Sequence, residues 1–163
     1  MDISFRMAER ADCPVILSFI KELAVYEKRA DQVTASVREL AEWLFDKRVA
    51  EVMFASLNGR EVGFALFFPH YSTFLGLPGL YLEDIYVLEE YRGRGVGTAM
   101  MRELARTAVG RGYGRFEWSC LDWNTPSVEF YLKLGAVPLD EWTTFRLSGD
   151  TLFKIAAMKN PGV

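Results

Sequence analysis

Residues 80–97 read LYLEDIYVLEEYRGRGVG, and they indicate the fold class more clearly than any other segment of the chain. Its first half, residues 80–88, is rich in aliphatic and aromatic side chains and predicts a strand. A helix is predicted from Gly95 to about Arg111, because apolar residues recur there at helical spacing (Val96, Met100, Leu104 and Ala108). Residues 115–120 predict the next strand. A strand–helix–strand unit of this length requires its two strands to be parallel.

The turn inside this unit, Arg92-Gly93-Arg94-Gly95-Val96-Gly97, favours an anion site. Three alternate glycines remove the Cβ atoms that would keep a ligand away from the main chain. Their amides, together with the unpaired N–H groups at the start of a helix, form a cradle for an anion such as a pyrophosphate. The spacing differs from the G-x-G-x-x-G of dinucleotide folds, and no Lys-Ser/Thr pair follows. A flexible strand–helix turn is the alternative interpretation.

The residues before this unit predict a strand, two helices and a hairpin. We expect a strand at 3–7, a helix at about 12–27, and a second helix that begins with the capping-box pattern Ser36-x-x-Glu39. Residues 51–57 and 61–68 flank Asn58-Gly59, the strongest hairpin signal in the chain. A loop that contains Pro69 and His70 is predicted to follow.

The residues after this unit predict a short helix that begins at Asn124-Thr125-Pro126 and ends at Gly135. Short strands are expected near 136–140 and 143–148, and one more helix from Asp150. The order of elements predicts an α/β fold with a mixed, mostly antiparallel sheet and helices on both faces. Residues 1–163 are expected to form a single domain, since about 100–200 residues suffice for one.

Composition excludes several classes of function. The net charge of −3 offers no broad cationic face for nucleic acid. One histidine and two distant cysteines, Cys13 and Cys120, cannot assemble a Cys/His metal site, and we expect both cysteines to be buried. The first residues do not resemble a signal peptide, and no apolar run approaches the ~20 residues of a membrane span. A cytoplasmic protein that binds neither metal nor membrane is expected.

The glycine turn, in its place between strand and helix, resembles the acetyl-CoA loop of the GCN5-related N-acetyltransferase (GNAT) superfamily. Further stretches are similar to its diamine (spermidine/spermine) acetyltransferase branch: Tyr81-Leu82-Glu83-Asp84-Ile85-Tyr86-Val87, Asn124-Thr125-Pro126-Ser127-Val128-Glu129-Phe130-Tyr131 and Ile20-Lys21-Glu22-Leu23-Ala24-Val25-Tyr26-Glu27. The similarity extends from about residue 3 to about 158. It implies the GNAT fold, in which the two central parallel strands splay apart, and a homodimer.

The resemblance also implies where acetyl-CoA binds. Its pantetheine arm would pair with the main chain of the 80–88 strand as an added strand would. Its diphosphate would lie on the glycine turn. The implied cofactor residues are Ile85, Tyr86, Val87, Arg92, Gly93, Arg94, Gly95, Val96, Gly97, Thr98, Asn124, Ser127 and Tyr131.

The implied reaction is direct attack of a primary amine on the thioester. A carboxylate that takes the proton of the ammonium, directly or through water, assists this step, and the resemblance indicates Glu83. Tyr131 is the implied acid for the departing thiolate, because a tyrosine is protonated at neutral pH. Strict alternation places Glu83 and Asp84 on opposite faces of the strand, so both enter one site only if a bulge intervenes.

The implied acceptor is a small cationic amine, a polyamine or diamine, bound by Tyr26, Glu27, Glu83, Asp84 and Phe145. The chain departs from that branch at Lys28-Arg29-Ala30, where the branch is more acidic, and at Phe145-Arg146, where a Trp-Arg pair is usual. Added positive charge disfavours a polycation and suits an α-carboxylate. A lysine-like amino acid such as thialysine is therefore an alternative acceptor. The other interpretation of Lys28 and Arg29 is a solvated helix end, where cations complement the helix dipole. A non-catalytic acyl-CoA-binding module and a nucleotide-phosphate binder remain alternatives from other classes.

Overall fold

The computed structural model describes residues 2–158, which form two compact units, one up to Ser119 and one from Cys120 onward. The first contains strands β1 (Ile3–Met7), β2 (Glu51–Leu57), β3 (Arg60–Ser72), β4 (Leu77–Val87) and β5 (Phe116–Trp118) and helices α1 (Cys13–Tyr26), α2 (Val37–Leu40) and α3 (Val96–Gly110). The second contains α4 (Thr125–Lys133) and α5 (Gly149–Ala156). None of the described helices is long and apolar enough to cross a membrane.

The sheet has the strand order β1-β2-β3-β4-β5. Its first three pairings are antiparallel and β4–β5 is parallel. This confirms the predicted α/β fold with a mixed, mostly antiparallel sheet and a strand–helix–strand unit. Among the described residues the parallel pair β4–β5 lies at one end of the sheet and not at the expected central position, because β5 has no further strand partner there. The predicted hairpin is also present, since Leu57 pairs with Arg60 and both turn residues have positive φ, Asn58 at 52° and Gly59 at 78°.

Helices cover both faces of the sheet. On one face, which we call the α1 face, Ile16 and Phe19 of α1 pack against Phe54 and Phe64, and the Phe19 and Phe64 ring centres are 5.3 Å apart. On the other face, α3 packs so closely that a Cβ at Gly63 would lie 2.8 Å from the sulfur of Met100. Consecutive strand residues point to opposite faces of the sheet, so Gly63 faces α3 and Phe64 faces α1.

The second predicted helix changes its geometry partway. The capping box is confirmed, because Ser36 Oγ accepts the Glu39 N–H at 3.3 Å and Glu39 Oε2 accepts the Ser36 N–H at 2.9 Å. After Leu40 the chain continues as a π-helix through Ala41–Asp46, which contributes the buried Leu44 to the α1 face.

The predicted loop at Pro69 and His70 is wrong, since both residues lie in β3, paired with Leu80 and Gly79 of β4. The Leu80 N–H donates to the carbonyl of Arg115, the residue before β5, so the Pro69–Leu80 pair needs no hydrogen bond from Pro69. The nitrogen of Pro69, which carries no hydrogen, faces the β2 side of β3. No partner is needed there, because β2 pairs no further along β3 than Phe67. A proline is tolerated in a strand at such a position.

Two other expectations fail. The predicted strands near 136–140 and 143–148 are absent over the described chain, where residues 137–148 are exposed and no neighbouring strand pairs with them. A strand cannot form without a hydrogen-bonding partner. Cys13 is buried as expected, whereas Cys120 is partly exposed. The last predicted helix is confirmed as α5.

Candidate active site

A wedge opens in the sheet where β4 and β5 part. The two strands pair only over three residues, from Leu80 with Phe116 to Leu82 with Trp118. Beyond Leu82, β4 continues to Val87 along β3, and among the described residues no strand pairs with its other edge. The main chain of β4 is thus left open on the β5 side over its last five residues.

The open edge presents the main-chain groups of Ile85 and Val87. The Leu88 N–H donates to Val62, and hydrogen-bonded pairs alternate along an antiparallel ladder. The pairs of Ile85 with Ala65 and Val87 with Gly63 are therefore the non-hydrogen-bonded ones, and their amides and carbonyls face away from β3. Arg92 Nε donates to the Val87 carbonyl at 3.0 Å, which agrees with that orientation.

A β-bulge at Glu83 lies where the wedge begins. Leu66 pairs with Asp84 and the next residue, Phe67, pairs with Leu82, so Glu83 is the extra residue. The bulge reverses the alternation along β4. Tyr81, Asp84 and Tyr86 consequently share the α1 face, opposite Leu82. The condition for bringing Glu83 and Asp84 to one site, an intervening bulge, is met.

Three carboxylates interact at this point, those of Glu27, Glu83 and Asp84. Burial, together with the neighbouring charges of Glu83 and Glu27, raises the pKa of Asp84 to about 6. Glu83 itself is exposed, and Glu27 follows the last residue of α1. A carboxyl with a pKa near 6 is partly protonated close to neutral pH, a property common at functional sites. Among residues 2–158, no group of three or more His, Cys, Asp or Glu side chains could hold a metal ion.

The glycine turn follows β4 and leads directly into α3. Gly93 and Gly95 have φ values of 70° and 80°, which side chains rarely tolerate, and a Cβ on either would meet nothing within 4 Å. Gly95 is the N-cap of α3, and no described side chain caps the helix. The first turn has a buried Val96, a half-buried Gly97 and an exposed Thr98. Amide donors at the start of this helix thus lie beside open space.

The two arginines of the turn contact aromatic rings. The Arg92 guanidinium carbon is 4.7 Å from the ring centre of Tyr26 and 5.0 Å from that of Tyr86. The Arg94 guanidinium lies 5.4 Å from the Tyr91 ring. Tyr26 and Tyr86 are themselves 6.3 Å apart. Arg92 therefore links the glycine turn to the end of α1 and to the α1 face, a role that the sequence did not indicate.

The remaining predicted site residues lie in the second unit. Asn124 is buried and occupies the N-cap position of α4, and its side chain forms no capping hydrogen bond. Its φ and ψ of −82° and 62° differ from the extended geometry typical of a capping residue. Ser127 and Tyr131 are partly buried on α4, with the Tyr131 ring 5.2 Å from Phe130, while Phe145 is 90% exposed.

Sequence reasoning missed a polar cluster on the first unit, formed by His70, Arg115 and Glu117. Glu117 Oε2 lies 2.9 Å from His70 Nε2 and 2.8 Å from Arg115 Nε. Burial lowers the pKa of His70 despite the nearby Glu117. The cluster joins β3 and β5 across β4, and only the register of the sheet brings these residues together. No short-range sequence signal could have found it.

Comparison with known proteins agrees with this geometry. Residues 17–136 match the acetyltransferase (GNAT) family. Thialysine N-epsilon-acetyltransferase of Sus scrofa is 38% identical over 94% of this chain and 97% of its own length. The human spermidine/spermine N(1)-acetyltransferase-like protein 1 is 32% identical over 93% of this chain and 23% of its own length.

A solved structure shows the same fold. An integron cassette protein from the mobile metagenome of V. cholerae superposes with a TM-score of 0.82 and 24% identity over 97% of this chain and 99% of that one. The family match covers well over half of the residues, and the porcine relative is similar over nearly its full length. The chain belongs to the acetyltransferase (GNAT) family, in the branch that resembles the spermidine/spermine acetyltransferases, and is an N-acetyltransferase.

Proposed function

We propose that the protein transfers an acetyl group from acetyl-CoA to the side-chain amine of a lysine-like amino acid. The open edge of β4 at Ile85 and Val87, which leads to the glycine turn, carries this proposal. An extended amide-containing arm can pair with such an edge as an added strand does. The diphosphate would accept hydrogen bonds from amides of residues 93–98 at the start of α3. Members of the family use acetyl-CoA.

Bound acetyl-CoA supplies the acetyl group as an activated thioester. A lysine-like amine has a pKa near 10.4, so about one molecule in 2,500 is neutral at pH 7, and deprotonation costs roughly 4–5 kcal/mol. Glu83, at the bulge, is the proposed base, acting through water; Asp84 and Glu27 would hold the ammonium beside it. The amine nitrogen forms the new amide bond as the carbon–sulfur bond breaks. Tyr131 gives its proton to the leaving sulfur, as the family resemblance implies.

The thialysine acetyltransferase of Sus scrofa supports an amino acid as acceptor, because it is similar over nearly its whole length. The exposed Lys28 and Arg29, just after α1, also favour a substrate that carries a carboxylate. A polyamine is the second candidate. The carboxylates of Glu27, Glu83 and Asp84 favour any cation, and a human spermidine/spermine N(1)-acetyltransferase-like protein is among the relatives.

Gly95→Ala should weaken coenzyme A binding at least tenfold. An alanine at φ 80° is strained by about 1–2 kcal/mol, and relief of that strain would turn the amides of the loop away from the diphosphate. Gly76→Ala is the matched control, because Gly76 has a φ of 67° and equally open surroundings but lies between β3 and β4. Calorimetric titration of both variants measures the affinity. Equal affinities would remove the glycine turn from the cofactor site.

Tyr131→Phe should lower turnover by roughly tens- to a thousandfold, because general acid catalysis contributes on the order of 100- to 10,000-fold. Coenzyme A affinity should stay unchanged. Thiol release during steady-state turnover measures the first quantity and calorimetry the second. Phe130→Leu, at the neighbouring position on α4, controls for packing. Unchanged turnover in Tyr131→Phe would exclude the proposed acid.

Asp84→Asn should remove a pH dependence of amine use. Asp84 holds the ammonium only when ionised, so kcat/KM of the parent enzyme should fall as the pH drops through about 6. The same substitution should stabilise the fold at neutral pH. The folded-state pKa exceeds the ordinary 3.8, so the parent loses stability as the pH rises from about 4 through 6, and asparagine does not.

Kinetics and urea denaturation at pH 4.5, 6 and 7.5 measure the two effects. Glu83→Gln is the comparison variant. It should lower kcat with a smaller gain in stability than Asp84→Asn, because Glu83 is exposed and only its repulsion of Asp84 is removed. An unaltered pH profile in Asp84→Asn would contradict the assignment of Asp84 to the ammonium.

A further inference from the structure

The polar cluster of His70, Arg115 and Glu117 is built into the sheet. One carboxylate oxygen of Glu117 faces both His70 Nε2 and Arg115 Nε, and Arg115 Nε lies 3.3 Å from the histidine nitrogen. Gly79 lies beneath them, and a Cβ there would be 2.5 Å from His70 Nε2 and 2.8 Å from Arg115 Cγ. Because Gly79 has no side chain, His70 and Arg115 can contact each other above β4 at this position.

Register places this cluster on the α1 face, beside the carboxylates of the wedge. Glu117 pairs with Tyr81 of β4, and the Tyr81 ring is 5.6 Å from His70. Because of the bulge, Asp84 faces the same way as Tyr81. On β3 their partners, Leu66 and Phe68, are two residues apart. Two strand residues span about 7 Å, and Glu117 lies one strand to the side, about 4.8 Å away, so the Asp84 and Glu117 positions are expected about 8 Å apart.

The cluster keeps unused hydrogen-bonding groups. Arg115 meets its partners through Nε, and within the described residues its two Nη groups have neither hydrogen bonds nor ion pairs. The Arg115 side chain is 35% exposed and that of Glu117 is 27% exposed, so both remain accessible. A guanidinium presents N–H groups in a fork that matches a carboxylate. The cluster therefore offers a cation and an anion side by side.

We propose that Arg115 and Glu117 recognise the α-carboxylate and the α-ammonium of the acceptor amino acid, with His70 as a positioning residue. The proposal rests on the proposed acetyl transfer. In a lysine-like chain, five bonds separate the reacting nitrogen from Cα, about 6 Å when extended. An amine at Asp84 would thus place its zwitterionic end near Glu117. A diamine would keep the contact between its second ammonium and Glu117 but would leave Arg115 without a carboxylate.

The test compares three acceptors that differ by one group each. Lysine carries both α-groups, cadaverine lacks the carboxylate, and 6-aminohexanoate lacks the α-amine. The parent enzyme should use lysine with a kcat/KM about 10- to 100-fold above either analogue, the range expected for one charge-assisted hydrogen bond. Arg115→Gln should abolish most of the preference over cadaverine, and Glu117→Gln most of the preference over 6-aminohexanoate. Arg106→Gln, on the exposed side of α3, should change neither.

Coenzyme A affinity of each variant, measured by calorimetry, reports whether the fold and the cofactor site are retained. Equal use of lysine and cadaverine by the parent enzyme would overturn the inference while leaving acetyl transfer intact. A preference that survives Arg115→Gln in a variant that still binds coenzyme A would also overturn it. Failure to acetylate any amine would overturn the proposed function and, with it, this inference. His70→Gln should raise the KM for lysine more than it lowers kcat.

Discussion

The candidate site depends on one local constraint, the extra residue that Glu83 inserts into β4. Two events coincide there: the alternation along β4 reverses, and the pairing with β5 stops after Leu82. The reversal brings Asp84 and Tyr86 to the face that carries Tyr81. The end of pairing leaves main-chain groups of Ile85 and Val87 without a strand partner on that edge. One inserted residue thus brings together an acidic face for an amine and an open edge for an amide-containing arm.

The clustering of negative charge at the candidate site has an energetic cost. Three carboxylates lie close enough for Glu83 and Glu27 to raise the pKa of Asp84, on top of the effect of burial. A cationic substrate would relieve this repulsion, since the ion pair it forms is favourable in partly buried surroundings. The Arg115–Glu117 pair, further along the same face, is already neutralised within the protein. The face therefore has a negative end and a dipolar end, which differ in net charge.

Local patterns predicted most elements of the fold, because their causes are local. Asn58-Gly59 determines a hairpin by its φ preferences, and Ser36 and Glu39 cap a helix through their own side chains. From the sequence, a bulge was only the requirement for bringing Glu83 and Asp84 into one site. Its presence at Glu83 could not be predicted, since it depends on the register of β4 against β3. The same holds for the cluster of His70 and Glu117. The sequence wrongly predicted a loop at Pro69, because whether a strand tolerates a proline at this position depends on where β2 ends.

Hydrogen exchange of individual amides, with and without coenzyme A, shows whether the cofactor pairs with the open edge of β4. The amides of Ile85 and Val87 should exchange readily in the free protein and become protected when coenzyme A binds. Leu88, whose amide donates to Val62, should be protected in both states. If coenzyme A binds and Ile85 and Val87 remain as exchangeable as before, the cofactor does not pair with the open edge of β4.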